Sequence, residues 1–140
     1  MTDLQTCRRI LEEGGYTCVL CKGTALHTST KRGVAPLMEL WESKTAVAGW
    51  SAADKVVGKA TALLYRLLGV RAVYAHIISE SALEVLQAGG IEAAYETLVP
   101  YIVNRTGNGR CPMETATANL TDPALAPAAI QAKLAELKNK

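Results

Sequence analysis

Four basic residues stand where a small anion could be gripped. Lys31 and Arg32 lead into Gly33-Val34-Ala35-Pro36, and Lys55 and Lys59 sit four apart around Gly58. Read as helix starts, both places offer unpaired backbone N–H groups and the positive end of a helix dipole, and lysines at i and i+4 share one helix face. That chemistry suits a phosphate- or carboxylate-bearing small molecule. Asp54 would orient a ligand hydroxyl or, more plainly, complete a capping box begun at Ser51. Gly58 within a helix costs about 1 kcal/mol against alanine, a cost that close approach of a ligand or a strand would explain. The plain alternative is a set of solvated lysines and a glycine that eases packing.

A second constellation is Cys111-Pro112-Met113-Glu114. Proline at a first helical position places Cys111 at the N-cap and Glu114 in the first turn, where the dipole and the nearby Arg105 and Arg110 favour a thiolate. Against a nucleophile stands the lack of a histidine placed to act as its base; the plain reading is a small residue packing a turn. Cys18-x-x-Cys21 looks like half a zinc site or a redox pair. It falls in a strand, however, where residues three apart point to opposite faces, so the two sulfurs should diverge. His76, on a presumed central strand, reads first as a hydrogen-bonded core residue, and His27 carries less weight still. Trp50 reads either as core or as the wall of a ring-binding pocket.

The elements that must position these residues follow a repeated pattern: a helical stretch ends in glycine and an apolar β-rich run begins at once. It occurs at Gly14-Gly15, at Gly69 and at Gly89-Gly90. The spacing predicts a first helix over about 2–13, with Leu4, Cys7 and Leu11 on one face, then a hairpin of strands 16–21 and 24–29. A short helix to about Ser43 follows, then a brief strand over 45–50. Ser51 is expected to open a long helix carrying Val56, Val57, Ala60, Leu63, Leu64 and Leu67. Residues 70–78 read as a central parallel strand, Ser79 as the cap of a helix over 80–88, 91–95 as a last strand, and 96–104 as a short helix. A glycine-rich loop leads to Cys111, and an Ala-rich helix over 124–137 carries Ile130, Leu134 and Leu137 on one stripe. Helical crossovers force parallel pairing and place helices on both faces, which gives a three-layer α/β/α sandwich.

Composition sets the outer limits. The 140 residues are 49% apolar and 20% charged, with a formal charge of +2 and scattered basic residues, so no footprint for nucleic acid is present. No apolar stretch reaches the roughly 18 residues of a membrane span, and the first residues lack a signal-peptide pattern, so a cytoplasmic location and four reduced thiols are expected.

Asp54-Lys55-Val56-Val57-Gly58-Lys59-Ala60, Tyr95-Glu96-Thr97-Leu98, Asn104-Arg105-Thr106-Gly107 and Cys111-Pro112-Met113-Glu114 together resemble an uncharacterised prokaryotic family, a domain of unknown function with a cytidine-deaminase-like fold. The resemblance covers roughly residues 3–118. It implies a five-stranded mixed sheet of order 2-1-3-4-5, with residues 1–118 as the α/β domain and 119–140 as a C-terminal helical extension. Deaminases of this fold hold zinc between a Cys/His-x-Glu motif and a Pro-Cys-x-x-Cys motif on two helix starts. The matching places here, 31–35 and 51–55, contain neither Cys nor His nor the proton-shuttling Glu. No metal site and no cofactor are therefore expected.

The resulting expectation is a small-molecule-binding protein for an anionic, nucleotide-like metabolite. Lys31, Arg32, Lys55, Gly58, Lys59 and Glu114 would bind, and Cys111, Asp54 and Lys55 are the candidates for chemistry, whether or not the chain is a zinc-independent enzyme. An inert interaction module that docks through its C-terminal helix, in a homo-oligomer for example, is the alternative. A thiol-dependent transfer or redox protein built on Cys111 is the third reading.

Overall fold

Cys18-Val19-Leu20-Cys21 is buried along its whole length, so this strand must be covered on both faces, and the rest of the chain is arranged to do that. The computed structural model describes residues 2–103, 107 and 109–138. Strand β1 (Cys18–Lys22) pairs antiparallel with β2 (Ala25–Ser29) and with β3 (Ser51–Val57). Strands β3, β4 (Ala72–Ser79) and β5 (Glu92–Val99) are parallel, which gives a five-stranded mixed sheet of order 2-1-3-4-5.

Helix α1 (Asp3–Gly14) lies on one face, with Cys7 and Leu11 packed against Val19, Cys21, Ala53 and Tyr74. The opposite face carries α2 (Ala35–Glu42), α3 (Lys59–Leu68) and α4 (Glu80–Ala88), whose apolar sides meet Leu20, Ala52, Val73 and Ala75. The alternation of Ala52 and Ala53 between the two clusters is the period of a pleated strand, and the layers form a three-layer α/β/α sandwich. Gly15 and Gly69 close α1 and α3 in the left-handed conformation, at φ 71° and 78°, as the repeated helix–glycine–strand pattern requires. Ser79 caps α4 by accepting the Ala82 N–H at 3.2 Å. No helix among the described residues is long and apolar enough to cross a membrane.

Three local expectations are corrected. Residues 51–57 form the central strand β3 rather than a helix, and 45–50 form turns and coil rather than a strand. Ser51 and Asp54 mimic a capping box in spacing only. Burial of Ala52 and Ala53 between β1 and β4, where small side chains let helices approach from both sides, overrides the helical preference of alanine. Gly58 is consequently the N-cap of α3, not an interior residue, and Lys55 and Lys59 lie on different elements. The edge strand β5 also runs on to Val99, through the first four residues of the helix expected over 96–104. Asn104 itself lies outside the described residues.

The C-terminal segment folds back onto the same face as α3. Helix α5 (Pro112–Thr117) starts at Cys111 as its N-cap, and α6 (Ala126–Lys138) follows a single 3-10 turn at Pro123–Leu125. Ala126 and Ile130 are fully buried in the main core, so α6 is part of the packing that stabilises the sheet. Ile130→Ala should therefore lower the unfolding free energy by about 2–5 kcal/mol in urea titrations. A change below about 0.5 kcal/mol, ordinary for a surface position, would show that α6 is only loosely attached.

Candidate functional site

The topology gathers the chemistry-bearing residues at one edge. Cys18 pairs with both Ser29 and Asp54, so the start of β1 and the ends of β2 and β3 lie together. The parallel strands β4 and β5 end at that edge as well. Lys31 and Arg32 leave β2 there, Asp54 to Gly58 complete β3 there, and the N-termini of α2, α3 and α4 all begin there. A cavity of about 440 Å³ opens between them. Its walls include Lys31, Arg32, Asp54, Lys55, Gly58, Cys111 and Glu114. Of the eight residues singled out in the sequence, only Lys59 is missing from that lining.

Asp54 is the acid on the cavity wall whose chemistry is most clearly altered by burial. It is buried; Oδ2 accepts the Tyr65 hydroxyl at 2.7 Å and Oδ1 accepts the Val56 N–H at 3.4 Å. Burial pushes its carboxyl up to about 7, against the opposing pull of the Tyr65, Val56 and Lys55 hydrogen bonds. Burial and the neighbouring Asp54 charge push the Tyr65 phenol well above its usual range, and the same two causes raise the Cys18 thiol, whose Sγ lies 3.5 Å from Tyr65 Oη. Cys18, Tyr65 and Asp54 thus form a buried polar chain beneath the cavity floor. Residue type and spacing single out Asp54 and Cys18 but not Tyr65, which reads as one more apolar position on α3.

Glu114 is also buried, and its Oε1 accepts the Lys59 backbone N–H at 3.0 Å and the Ser79 hydroxyl at 3.2 Å. The N-terminus of α3 has no side-chain cap of its own, so a carboxylate from 55 residues further along takes that place. Gly58 permits this: a Cβ there would lie 2.5 Å from Glu114 Oε1 and 3.2 Å from Ile102 Cγ1. The close approach expected at Gly58 is thus to a side chain of the protein. The anion-seeking end of α3 is satisfied internally, and the Lys59 ammonium turns away to the Ala118 carbonyl at 2.8 Å.

The remaining cations differ in their freedom. Lys31 pairs with Glu39 of α2, whereas Arg32 and Lys55 line the cavity with no ionic partner among the described residues. Cys111 is partly exposed on the cavity wall and its side chain makes no cap hydrogen bond. Arg110 stacks over Tyr101, 4.7 Å from the ring centroid, and Arg105 lies outside the described residues. His76 is corrected from a core residue: it is over half exposed, and its Nδ1 meets Glu96 Oε2 at 2.7 Å, away from the cavity. Trp50 packs against the main core and is not among the cavity walls. Cys18 and Cys21 point to opposite faces as strand geometry demands, Cys18 toward Tyr65 and Cys21 toward Cys7. Among the described residues no three His, Cys, Asp or Glu side chains are grouped to hold a metal ion.

The folded chain holds the Asp54 proton more tightly than the unfolded chain does. Its contribution to stability is complete below the ordinary aspartate value of about 3.9 and is lost as pH rises through about 7. A difference of this size is worth up to about 4 kcal/mol. Unfolding titrations from pH 5 to pH 8 should show the wild-type chain losing stability relative to Asp54→Asn, levelling off above about pH 8. A constant difference across that range would mean that Asp54 is ionised throughout.

Residues 6–134 match the profile of a domain of unknown function, DUF1893. No curated protein matches the sequence. Among solved structures, the crystal structure of a DUF1893 family protein, TM1506 from Thermotoga maritima, superimposes with a TM-score of 0.86 at 24% identity, over 95% of this chain and 91% of that one. At that identity the likeness speaks for the fold, and the sheet with its helices is common to both proteins. With the profile match spanning the sheet, the cavity and most of α6, the chain belongs to the DUF1893 family.

Proposed function

We propose that the chain is a small-molecule-binding protein whose ligand is an anionic, nucleotide-like metabolite held in the cavity at the strand ends. The observation that carries this reading is the pairing, in one cavity, of two cations without an ionic partner among the described residues, Arg32 and Lys55, with a buried acid whose proton is exchanged near neutrality. The cations supply charge-assisted contacts to a phosphate or carboxylate. Asp54 can donate a hydrogen bond below about pH 7 and accept one above it, which suits an amide or amidine edge of a heterocycle and would serve acid–base chemistry if the ligand reacts. Sheets of this kind bind ligands at the carboxyl ends of their parallel strands. The resemblance of the DKVVGKA and CPME segments to a cytidine-deaminase-like family adds the nucleotide class by analogy of fold. Among the described residues the donor set around the cavity has no histidine and Cys111 as its single thiol, which favours chemistry without zinc.

A second reading, an interaction module, is favoured by Leu134 and Leu137. Both stay exposed on α6 and border an adjoining hollow of about 570 Å³, together with Val103 and Met113. A thiol-transfer role for Cys111 rests only on its place in the cavity wall.

The first experiment is native mass spectrometry of gently purified protein, followed by titration with AMP, CMP and inorganic phosphate. A co-purifying anionic metabolite, or saturable nucleotide binding, is expected. Replacing Arg32 or Lys55 by alanine should weaken it by about 1.5–3 kcal/mol per contact, roughly ten- to a hundredfold in Kd. Absence of binding to all three probes, with an empty native protein, would overturn the proposal. In that case sedimentation of Leu134→Glu and Leu137→Glu tests the second reading: loss of a wild-type oligomer supports it, and an unchanged monomer removes it.

A further inference from the structure

Two of the three cysteines that the ligand-binding reading leaves unused form a pair no sequence motif announces. Cys7 lies on α1 and Cys21 on β1, fourteen residues apart, and both are buried in the small core between α1 and the sheet. Their sulfurs are 2.7 Å apart. Non-bonded heavy atoms rest at roughly 3.5–4.0 Å even when they are carbons, and sulfur is larger. Either thiol can donate to the other, so the two sulfurs already face each other in direct contact. Cys7 Sγ has the Ser51 carbonyl within 3.4 Å and Cys21 Sγ has the Asp3 carbonyl within 3.2 Å, so each thiol has an acceptor of its own. The two other cysteines are kept apart from this pair: Cys18 faces the opposite core, and Cys111 stands on the cavity wall.

We infer that Cys7 and Cys21 form an intramolecular disulfide site that joins the first helix to the first strand when the chain meets a low-molecular-weight disulfide such as oxidised glutathione. One cysteine sulfur attacks a glutathione sulfur and expels one glutathione thiol. The second cysteine sulfur then displaces the remaining glutathione and closes the protein S–S bond. Each cysteine loses a proton, one glutathione disulfide is reduced to two thiols, and no further oxidant is required. The site is distinct from the cavity at the strand ends and does not depend on what that cavity binds.

The cross-link would act on the face where one helix does all the covering among the described residues. Helix α1 packs on β1, β3 and β4, and the bond would fix it at Cys7, near its middle. Burial raises the Cys7 thiol further from its reactive form, so exchange in the folded chain is slow and the bond closes most readily as the chain folds.

The full-length chain is therefore unfolded, reduced, and refolded in glutathione buffers of increasing oxidised fraction. It is then quenched with acid, denatured, alkylated and mapped by mass spectrometry. Alkylatable thiols should fall from the four free cysteines by two, as Cys7 and Cys21 disappear together into one linked peptide and the intact mass drops by two hydrogens. Cys7→Ser and Cys21→Ser should each abolish that linked peptide. Recovery of Cys7 and Cys21 as free thiols or as separate glutathione adducts in the most oxidising buffer would overturn the inference, as would linkage of either to Cys18 or Cys111.

Discussion

The Glu114 carboxylate holds the site edge of this protein together. Its Oε1 takes the first N–H of α3 and the hydroxyl of Ser79, and Ser79 in turn caps α4. Two helices that follow successive parallel strands are thereby tied at their N-termini to a residue from a third, α5. That link, with the Lys59 ammonium on the Ala118 carbonyl, anchors the segment after β5 at the sheet edge, where Cys111, Met113 and Glu114 wall the cavity. A buried carboxylate requires such donors, because an ion removed from water without hydrogen bonds is strongly disfavoured. The same requirement explains Gly58, since any side chain there would fill the space that Glu114 Oε1 occupies.

Asp54 sits a short distance along the same edge and is treated in the opposite way. Its hydrogen bonds come from one phenol and from backbone N–H groups, and they do not offset the loss of water, so its proton is retained to about pH 7. Two buried acids therefore divide the edge: one closes helix ends, and the other faces a cavity rimmed by Arg32 and Lys55. This difference in surroundings separates a structural carboxylate from a candidate chemical one.

Much of the architecture was legible in the sequence, and the reasons are local. Glycine after an apolar helix, then a β-rich run, specifies helix–turn–strand through conformations only glycine adopts readily, and it located three such junctions. Ser79 is legible as a cap because its residue type and its place before Glu80 agree with the strand that precedes it. Residues 51–57 look helical in sequence because Ser-Ala-Ala-Asp carries no β-branched residue, and only the pairing with β1 and β4 makes it a strand. His76 looks like a core residue because a central strand suggests burial on both faces, whereas β4 is exposed at His76 and β5 beside it is exposed over most of its length.

The candidate site was legible to a different degree, for a reason that lies in topology. Lys31, Arg32, Lys55 and Cys111 were picked out by residue type and placed beside presumed helix starts. One helix starts at Lys59 and not at Ser51, and Glu114 already satisfies that start, yet three segments distant in sequence still meet at one cavity. They meet because β1 runs against β3, which returns the end of β2 and the residues after it to the edge where the parallel strands finish. Tyr65 stayed invisible because nothing in an apolar helix shows that one hydroxyl will reach a strand residue eleven positions earlier. Contacts that cross elements are fixed by packing and not by local pattern, so the Asp54–Tyr65 bond and the Glu114 bridge emerge only from the folded chain. The local pattern supplied the residue types, and the antiparallel first strand turned their separate positions into one site.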